Sequence, residues 1–404
     1  MKVLSSRRYT FSELVDENLI EVGAGRPRSV SSELAILRVA DVLDGKIKHA
    51  FMVDAPSNPP KETASKVSRP GDVVLTAKGT VGRVAIMPPG GPKYAYSPQL
   101  IYFRPTPSGP LLPRYLYYWL KSAEFWAQAS HLKSQTDMAD FLALSDILSL
   151  SIALPQRYGQ ETIAALLGSL DDKIAVNERT SDTALKLAEA LYLREAAHSE
   201  WKSIALGDAA IWLSGGTPKT GEPSFWGGEI PWISALSLKS PWIDSSDRNV
   251  TDLGTKSGTR LVPAEVVLFV VRGSSLKTEF RIGITQREVA FGQDCKALIP
   301  CHQIDPHVLF HGIRSNTQSI LEMVDETSIG AGRLSTDLIT KLEIRVPQRG
   351  DSQLVAELRA LDELAATRRA ESRSLAELRD TLLPQLMSGR LRVRDAEKIV
   401  EDMT

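Results

Sequence analysis

The sequence predicts an α+β fold in which two mixed α/β domains are separated by a pair of long antiparallel coiled-coil helices, arranged as a pseudo-two-fold tandem repeat. Two observations support this prediction. Motifs of the first half recur in the same order roughly 190 residues later, and each half ends in a long run of heptad-spaced apolar residues. The length of 404 residues is also sufficient for two separate cores.

Four pairs of segments define the repeat. Each pair keeps its residue types and its place in the order of the chain, and the small differences in offset fall where loops would absorb them. At the same distance beyond the turn glycine of each copy lies a glutamine, Gln99 in the first and Gln293 in the second. The pairs are residues 23–27 with 214–218, 74–80 with 268–274, 151–156 with 343–348, and 170–171 with 361–362.

Two long helices are predicted over residues 160–197 and 351–387. Apolar or small side chains recur there at alternating spacings of four and three, which is a heptad seam, and its middle is polar at Asn177 and Ser372. Neither seam can be buried alone, so we expect the helices to pair. The seam residues expected to pair or to contact a partner are Ile163, Leu167, Leu170, Ile174, Asn177 and Leu191 in the first helix and Leu354, Leu358, Leu361, Leu375 and Leu382 in the second.

Helix-breaking residues set the predicted boundary of the second helix. Pro384 and Gly389 predict the end of the second helix, and residues 390–393 are expected to be extended. The predicted segments are a first domain over 1–157, a central spacer helix over 158–200, a second domain over 201–349, and a C-terminal spacer helix and tail over 350–404.

Composition argues against several classes of protein. With 48 basic and 49 acidic side chains the net charge is −1, so the chain is not a strongly basic nucleic-acid binder overall. No apolar run has the length of a membrane span, and the N-terminal residues lack the apolar core of a signal peptide. Cys295 and Cys301 cannot form a disulfide framework. A cytoplasmic protein without membrane contact is therefore expected.

The motifs that would indicate catalysis are weak. Asn58-Pro59-Pro60-Lys61 resembles the Asn-Pro-Pro-aromatic motif of amino-methyltransferases, but a lysine cannot stack on a flipped base as the aromatic residue does. Lys78-Gly79-Thr80 lacks the residue order of a phosphate loop. We therefore expect no catalytic residue, no metal and no cofactor of the chain's own. The potential zinc ligands, whose spacing fits no standard site, are Cys295, Cys301, His302, His307 and His311.

Motifs in three regions match the pattern of one known family. The first region is Leu154-Pro155-Gln156 followed by residues 163–177, the second is residues 215–219 followed by 225–233, and the third is residues 382–393. In the first copy, Gly25-Arg26-Pro27-Arg28 stands where a Gly-Thr-Pro element would be. These motifs, in the same order along the whole chain, resemble the specificity subunit of Type I restriction-modification enzymes, with two target recognition domains and two helical spacers.

The resemblance implies a non-catalytic subunit in which each α/β domain reads one half of a split double-stranded DNA site and the helices set the gap. It also implies two modification subunits that carry S-adenosylmethionine and methylate adenines, and restriction-translocase subunits that join for cleavage. S-adenosylmethionine, ATP and Mg would then belong to these partners. The alternative from the residues alone is a coiled-coil scaffold that joins two protein-binding domains. Methylation of a bipartite site would distinguish the two hypotheses.

Side chains at and beyond the two basic-glycine-hydroxyl turns are the candidates for DNA contact. Lysine and arginine bind phosphates, glutamine can pair with adenine, and segments 72–88 and 272–287 are net basic. The two copies differ at these turns, which predicts an asymmetric site. The candidates are Lys78, Thr80, Arg83, Tyr94, Tyr96, Ser97 and Gln99 in the first domain and Thr217, Lys219, Trp226, Arg272, Ser274, Ser275, Lys277, Arg281 and Gln293 in the second.

Overall fold

The computed structural model describes residues 7–25, 35–48, 66–132, 134–136, 139–301, 304–326, 331–348 and 352–403. The chain divides into two compact units, of which unit 1 is Met1–Ile174 with Ser374–Thr404 and unit 2 is Ala175–Arg373. Each unit thus takes part of both long helices, whereas the boundaries expected at 157, 200 and 349 stay a prediction. Within the described ranges, no helix is both long and apolar enough to span a membrane.

The first strand of unit 1 pairs with the last strand before the first long helix. In chain order they are β1 (Arg7–Thr10), α1 (Phe11–Asp16), β2 (Ile20–Ala24), β3 (Ile36–Leu37), β4 (Val42–Leu43), β5 (Lys46–Ile47), β6 (Val73–Thr76), β7 (Val84–Ile86), β8 (Ala95–Tyr96), β9 (Leu100–Pro105), α2 (Pro113–Lys121), α3 (Ala123–Leu132), β10 (Ser134–Thr136), β11 (Ala139–Phe141), α4 (Leu144–Ser149), β12 (Ser151–Leu154) and α5 (Arg157–Ala196), which runs on into unit 2.

Unit 2 continues with the same kind of elements, and the chain ends in two helices. In chain order they are β13 (Trp201–Ala205), α6 (Leu206–Ala209), β14 (Ala210–Ser214), β15 (Trp226–Ile233), β16 (Trp242–Ile243), β17 (Asn249–Val250), α7 (Asp252–Thr255), β18 (Arg260–Val262), β19 (Val267–Val270), β20 (Arg272–Gly273), β21 (Ile282–Thr285), β22 (Val289–Phe291), β23 (Cys295–Pro300), α8 (Pro306–Arg314), α9 (Thr317–Glu322), β24 (Val324–Glu326), β25 (Gly332–Leu334), α10 (Thr336–Ile339), β26 (Glu343–Pro347), α11 (Ser352–Met387) and α12 (Val393–Met403).

The central sheet of unit 1 has the strand order β2-β9-β6-β7, with antiparallel neighbours. Strand β6 is buried on both faces: Val73 and Leu75 lie in the core that contains Trp119, and Val74 packs in a second cluster with Tyr102. Burial on both faces explains why β6 is a continuous apolar run rather than an alternating one. Each such side chain contributes about 1.5–3 kcal/mol by leaving water.

Unit 2 repeats this arrangement. Its five-stranded sheet has the order β14-β23-β19-β21-β16, and the first four strands follow the order and antiparallel pairing of β2-β9-β6-β7. Strands β1 and β12 pair antiparallel in unit 1 as β13 and β26 do in unit 2. Unit 2 also contains a four-stranded sheet, β17-β15-β22-β18, and a three-stranded sheet, β20-β25-β24. The predicted tandem repeat and the α+β fold are confirmed.

The long helices contact each other within each unit. In unit 1, Ile163, Leu167 and Leu170 are buried in one core with Leu375 and Leu382, and Ile174 is half-buried against it. In unit 2, the second part of α5 packs with Leu354 and Leu358, and Leu191 and Leu361 are half-buried there. Because the first part of α5 meets the last part of α11 and the reverse holds for the other parts, the helices are antiparallel. The polar middle is also buried, at Asn177 and Ser372.

Equivalent aspartates attach a domain helix to the long helices in each unit. Asp171 on α5 accepts hydrogen bonds from the hydroxyl of Tyr118 on α2 at 2.6 Å and from Arg379 on α11 at 2.7 Å. Asp362 on α11 instead lies 2.6 Å from His307 Nδ1 and 3.1 Å from His311 Nε2, both on α8. The sequence repeat of residues 170–171 and 361–362 is therefore a repeat of docking groups.

The second long helix ends at Met387 as predicted, but the signals assigned to its end are wrong in two respects. Pro384 lies inside α11, which ends at Met387 before Gly389 with a φ of 71°. The proline removes one helical hydrogen bond, but Leu382 and Leu386 anchor this last turn in the core. The segment expected to be extended leads directly into α12, whose Ala396 is buried in the same core. Apolar burial therefore outweighs the local helix-breaking signal.

Candidate nucleic-acid interface

The first basic-glycine turn connects β6 to β7 and is held from below by a buried hydroxyl. Thr76 Oγ1 donates to the carbonyl oxygen of Thr80 at 2.6 Å and accepts from the backbone N–H of Arg83 at 2.9 Å. Gly79 has a φ of 84° and Gly82 a φ of 105°, the left-handed region that glycine tolerates best. Lys78 and Thr80 are consequently exposed at the tip of a fixed turn.

Replacing Gly82 with alanine should destabilise this turn more than replacing Gly79. Both substitutions force a positive φ on alanine, which costs roughly 1–2 kcal/mol. Only at Gly82 would the new Cβ also lie 2.5 Å from the Trp126 ring, whereas nothing lies within 4 Å at Gly79. Chemical denaturation of the two variants measures the difference. Equal losses of stability would show that the ring moves aside at no cost.

A concave pocket of about 480 Å³ lies beside the turn in unit 1. It brings together four of the predicted DNA-contact residues, and Arg38 adds a third cation next to Lys78 and Arg83. Sequence reasoning missed Arg38; the available signal was its position directly after the strand β3, which pairs with the strand that leads to Gln99. The pocket therefore offers positive charge together with an exposed amide. Its lining residues are Arg38, Val39, Ala40, Lys78, Gly79, Thr80, Arg83 and Gln99.

In the corresponding turn of unit 2, the residue that is equivalent to Gln99 differs from the one that the sequence repeat predicts. The N–H of Ala77 donates to the carbonyl oxygen of Gln99 at 2.9 Å, and the N–H of Val271 donates to that of Asp294 at 2.8 Å. Asp294, not Gln293, is thus the structural counterpart of Gln99. Gln293 lies one residue earlier, exposed in the same turn. The matching glutamines are a coincidence of sequence, because the loops differ in length by one residue.

Arg272 is the counterpart of Lys78, and it has charged side chains as neighbours. Its guanidinium lies 4.0 Å from Asp294, and β20 places it opposite Arg333 of β25 in the antiparallel register. Arg333 is exposed and was missed by sequence reasoning, since only strand pairing brings it to the turn. Like charges directly opposite each other are unfavourable, and here Asp294 beside Arg272 and Asp325 opposite Arg333 offset part of that repulsion. Ser274 and Lys277 are exposed nearby, and Ser275 is half-buried.

Arg83 and Arg281 brace loops rather than project into solvent. The Arg281 guanidinium donates to the carbonyl oxygen of Ala235 at 3.0 Å, and the Arg83 guanidinium donates to that of Val42 at 3.4 Å. Both arginines are half-buried and directly precede equivalent strands, β7 and β21. Their charge still contributes to the surface, but their first role is to hold the neighbouring loop.

A second group of candidate DNA-contact residues in unit 2 lies around an arginine that stacks on a tryptophan ring. The Arg248 guanidinium lies 3.7 Å from the centroid of the Trp226 ring, a cation–π contact, and Trp226 Nε1 donates to the carbonyl oxygen of Lys219 at 3.1 Å. The N–H of Gly216 donates to the carbonyl oxygen of Phe291, which places Thr217 beside the turn that carries Gln293. Sequence reasoning missed Arg248 because it lies on a different strand connection.

Three predicted contacts of the first domain are corrected by burial. Tyr94 and Tyr96 are each 1% exposed and Ser97 is 6% exposed, so they are not available to DNA. The Tyr96 hydroxyl donates to Asp72 at 2.7 Å, and its ring stacks on Tyr102. Burial, together with the negative charge of Asp72, raises the pKa of Tyr96 well above its usual range. Strand β8 and the residues that flank it are therefore part of the core.

Several of the potential zinc ligands named from the sequence are buried in the core. Cys295 is buried in β23, and burial raises the pKa of its thiol to about 12. His307 and His311 are buried against Asp362 instead of facing the cysteines. Among the described residues no group of His, Cys, Asp and Glu side chains could hold a metal ion. His302, the Asn58–Lys61 motif and residues 26–28 lie outside the described residues.

The sequence and the fold are similar to those of known proteins. A family model described as Type I restriction modification DNA specificity domain matches residues 60–186. A Type I restriction enzyme specificity subunit of Escherichia coli is 28% identical over 262 residues, an alignment that covers 61% of this chain and 62% of that protein. The HindI specificity subunit of Haemophilus influenzae is 19% identical over 441 aligned positions, which cover 89% of this chain and 94% of that protein.

A solved structure supports the fold. The S subunit of the Type I restriction-modification system from M. genitalium superposes with a TM-score of 0.59 at 17% identity, covering 96% of this chain and 98% of that chain. The family match, the relatives and this fold agree with the motifs found in the sequence. Residues 60–186 thus match a Type I restriction modification DNA specificity domain, and the chain is similar to specificity subunits of Type I restriction enzymes.

Proposed function

We propose that the chain reads a bipartite, asymmetric site on double-stranded DNA, with one half contacted by each unit. The observation that carries this proposal is the repetition of one surface in both units. In each, a loop after a short strand, a basic hairpin turn and the turn before the last sheet strand meet at the same end of the central sheet. A repeated surface on a repeated fold is suited to two similar ligands, such as two half-sites.

Charge supports DNA as the ligand. The exposed cations Arg38 and Lys78 in unit 1 and Arg272 and Arg333 in unit 2 are concentrated on this surface, although the whole chain carries a net charge of only −1. Cations placed locally neutralise phosphates and release counterions, which supplies affinity without sequence preference. Arg272 and Arg333 lie opposite each other in the antiparallel register, so a phosphate bound there would meet two guanidinium groups.

Differences between the units support an asymmetric site. Gln99 presents an amide that can donate to and accept from adenine, whereas its counterpart Asp294 is an acceptor that pairs with the donor amino group of cytosine. Lys78 is replaced by Arg272, whose planar fork suits guanine or a phosphate better than an ammonium group does. The two units therefore offer different hydrogen-bonding patterns at equivalent places.

The long helices and their surroundings are proposed to position two modification subunits, and the restriction-translocase subunits would join the same complex. S-adenosylmethionine, ATP and Mg would bind to those partners. The division into two recognition domains and two spacer segments, with boundaries at 157, 200 and 349, belongs to the same proposal. A scaffold that only joins proteins would not need basic turns repeated in register.

Methylome sequencing tests the function. Cells that express the chain with its modification subunits should carry adenine methylation at one split sequence with a fixed gap. Cells with the modification subunits alone are the control and should lack the mark. If active modification subunits produce no bipartite mark in the presence of the chain, the recognition function is wrong and the scaffold alternative gains.

Substitutions in the unit 1 pocket should separate affinity from specificity. Lys78→Ala should weaken binding to all sequences alike and reduce the slope of log affinity against log salt by about one, because one phosphate contact is lost. Gln99→Ala should instead relax preference at one base pair, by about 1–3 kcal/mol. Fluorescence anisotropy of the complex with its modification subunits, across a salt series, measures both. Lys93→Ala, an exposed lysine beyond the far end of β7, is the matched control.

A further inference from the structure

Leu236 is the apolar side chain that stands out on the recognition surface of unit 2. It is 73% exposed and lies in the loop 234–238 that follows β15. Two serines fix the loop: the N–H of Ser234 donates to Ser237 Oγ at 2.8 Å, and the N–H of Ser237 donates back to Ser234 Oγ at 3.1 Å. The leucine is therefore held out by a closed ring of hydrogen bonds rather than by a loose loop.

The loop that carries Leu236 touches the basic turn directly. The carbonyl oxygen of Ala235 accepts from the Arg281 guanidinium at 3.0 Å. A Cβ atom built on Gly273 would lie 3.5 Å from the Ala235 methyl group, which is van der Waals contact. Gly273 follows Arg272, and Arg272 lies opposite Arg333. Leu236 thus lies in a loop that contacts the turn carrying Arg272, whose guanidinium is 4.0 Å from Asp294.

An isolated exposed leucine normally requires no explanation. Here, however, unit 1 offers a comparison. Leu37 pairs with Tyr96 in unit 1 as Ile233 pairs with Phe291 in unit 2. Counting from these pairs, the counterpart of Leu236 is Ala40, which lines the unit 1 pocket. The fold accommodates a small side chain at this position, so neither packing nor loop geometry requires the leucine.

We propose that Leu236 contacts the 5-methyl group of a thymine in the half-site that unit 2 reads. This inference rests on the proposed function. The surrounding arginines bring phosphates to the surface, and the bases then lie within reach of a rigid side chain between them. On base edges in the major groove the methyl group of thymine is the apolar feature, and apolar side chains recognise it. Leu236 would add a preference that does not depend on salt.

Removing either methyl partner tests the contact. The complex with its modification subunits is titrated with duplexes that carry its methylated site, with each thymine replaced in turn by deoxyuridine. Wild-type protein should lose about fourfold in affinity at one thymine, the value of one buried methyl group. Leu236→Ala should lose a similar factor on the unmodified duplex and show no further loss at that uracil. Its salt slope should equal that of the wild type.

The matched control is Ile211→Ala. Ile211 is also exposed in unit 2, but it pairs with Ile299 toward the opposite end of the sheet from the basic turn. This variant should bind like the wild type and keep the uracil effect. Circular dichroism melts of both variants confirm folding.

The outcomes separate the two proposals. Two outcomes overturn the thymine contact and leave the recognition function intact. In the first, the protein prefers one site, but no thymine-to-uracil replacement has an effect that depends on Leu236. In the second, the half-site read by unit 2 contains no thymine. Brightening of 2-aminopurine at a step next to the contact in wild-type protein but not in Leu236→Ala would show a wedge between bases, which also overturns the methyl contact. If wild-type protein shows no sequence preference, both proposals fail.

Discussion

Asp362→Ala is expected to lower the free energy of unfolding of unit 2 by about 3 kcal/mol, because removing one partner of a buried polar cluster leaves the others uncompensated. The carboxylate is 1% exposed and bonds His307 and His311 at once. For a unit of this size the loss corresponds to a fall of roughly 6–12 °C in its melting transition. Calorimetry of the full chain measures it, and hydrogen exchange of α8 should accelerate most.

Acid should remove the same contribution from the wild type. Burial raises the pKa of Asp362, but hydrogen bonds from His307 and His311 outweigh burial and lower it below the ordinary 3.8. A carboxyl group with a lowered pKa in the folded state stabilises the fold fully above its unfolded pKa, and loses this effect as the pH falls through the folded value. The contribution of the Asp362 carboxylate to the stability gap between wild type and Asp362→Ala should therefore be lost as the pH falls below about pH 4.

Asp182→Ala is the control for this effect. Asp182 also lies on a long helix in unit 2 and pairs with Arg369 at 2.6 Å, but 56% of its side chain is exposed. Exposed ion pairs contribute 0–1 kcal/mol, so this variant should melt close to the wild type. Equal losses of stability in the two variants would show that burial of the Asp362 cluster does not increase its contribution to stability.

Inserting four helical residues after Asn177 is expected to shift methylation from the original gap to a longer one and to leave both half-sites unchanged. Four residues add about 6 Å of helix, and DNA rises about 3.4 Å per base pair, so the gap should grow by about one to two base pairs. Methylation at the original gap should fall by at least about tenfold, since a mispositioned unit loses its specific contacts. Methylome sequencing reads gap and half-sites together.

The control insertion is placed between Gly90 and Gly91, in an exposed turn of unit 1 away from the helices. It should change neither the gap nor the half-sites. Altered bases in either half-site after the helical insertion would contradict the role of the helices as a spacer, because recognition residues are untouched by it.

The tandem repeat, both long helices and the location of the basic turns could be predicted from the sequence. These features follow from local periodicity and from motifs that recur at one offset, such as Lys78-Gly79-Thr80 against Arg272-Gly273-Ser274. Heptad positions such as Leu167 and Leu358 are buried as the pattern requires, because a helix of this length must bury its seam. Such signals need only neighbours along the chain.

Which side chains share the candidate site depends on tertiary contacts. Arg38, Arg248 and Arg333 come to the surface through strand pairing between distant segments, and no local pattern marks them. Tyr96 is polar in sequence yet buried, because Asp72 satisfies its hydroxyl. The register that makes Asp294 the counterpart of Gln99 depends on hydrogen bonds across the sheet. Burial and pairing are properties of packing, and a one-dimensional pattern does not contain them.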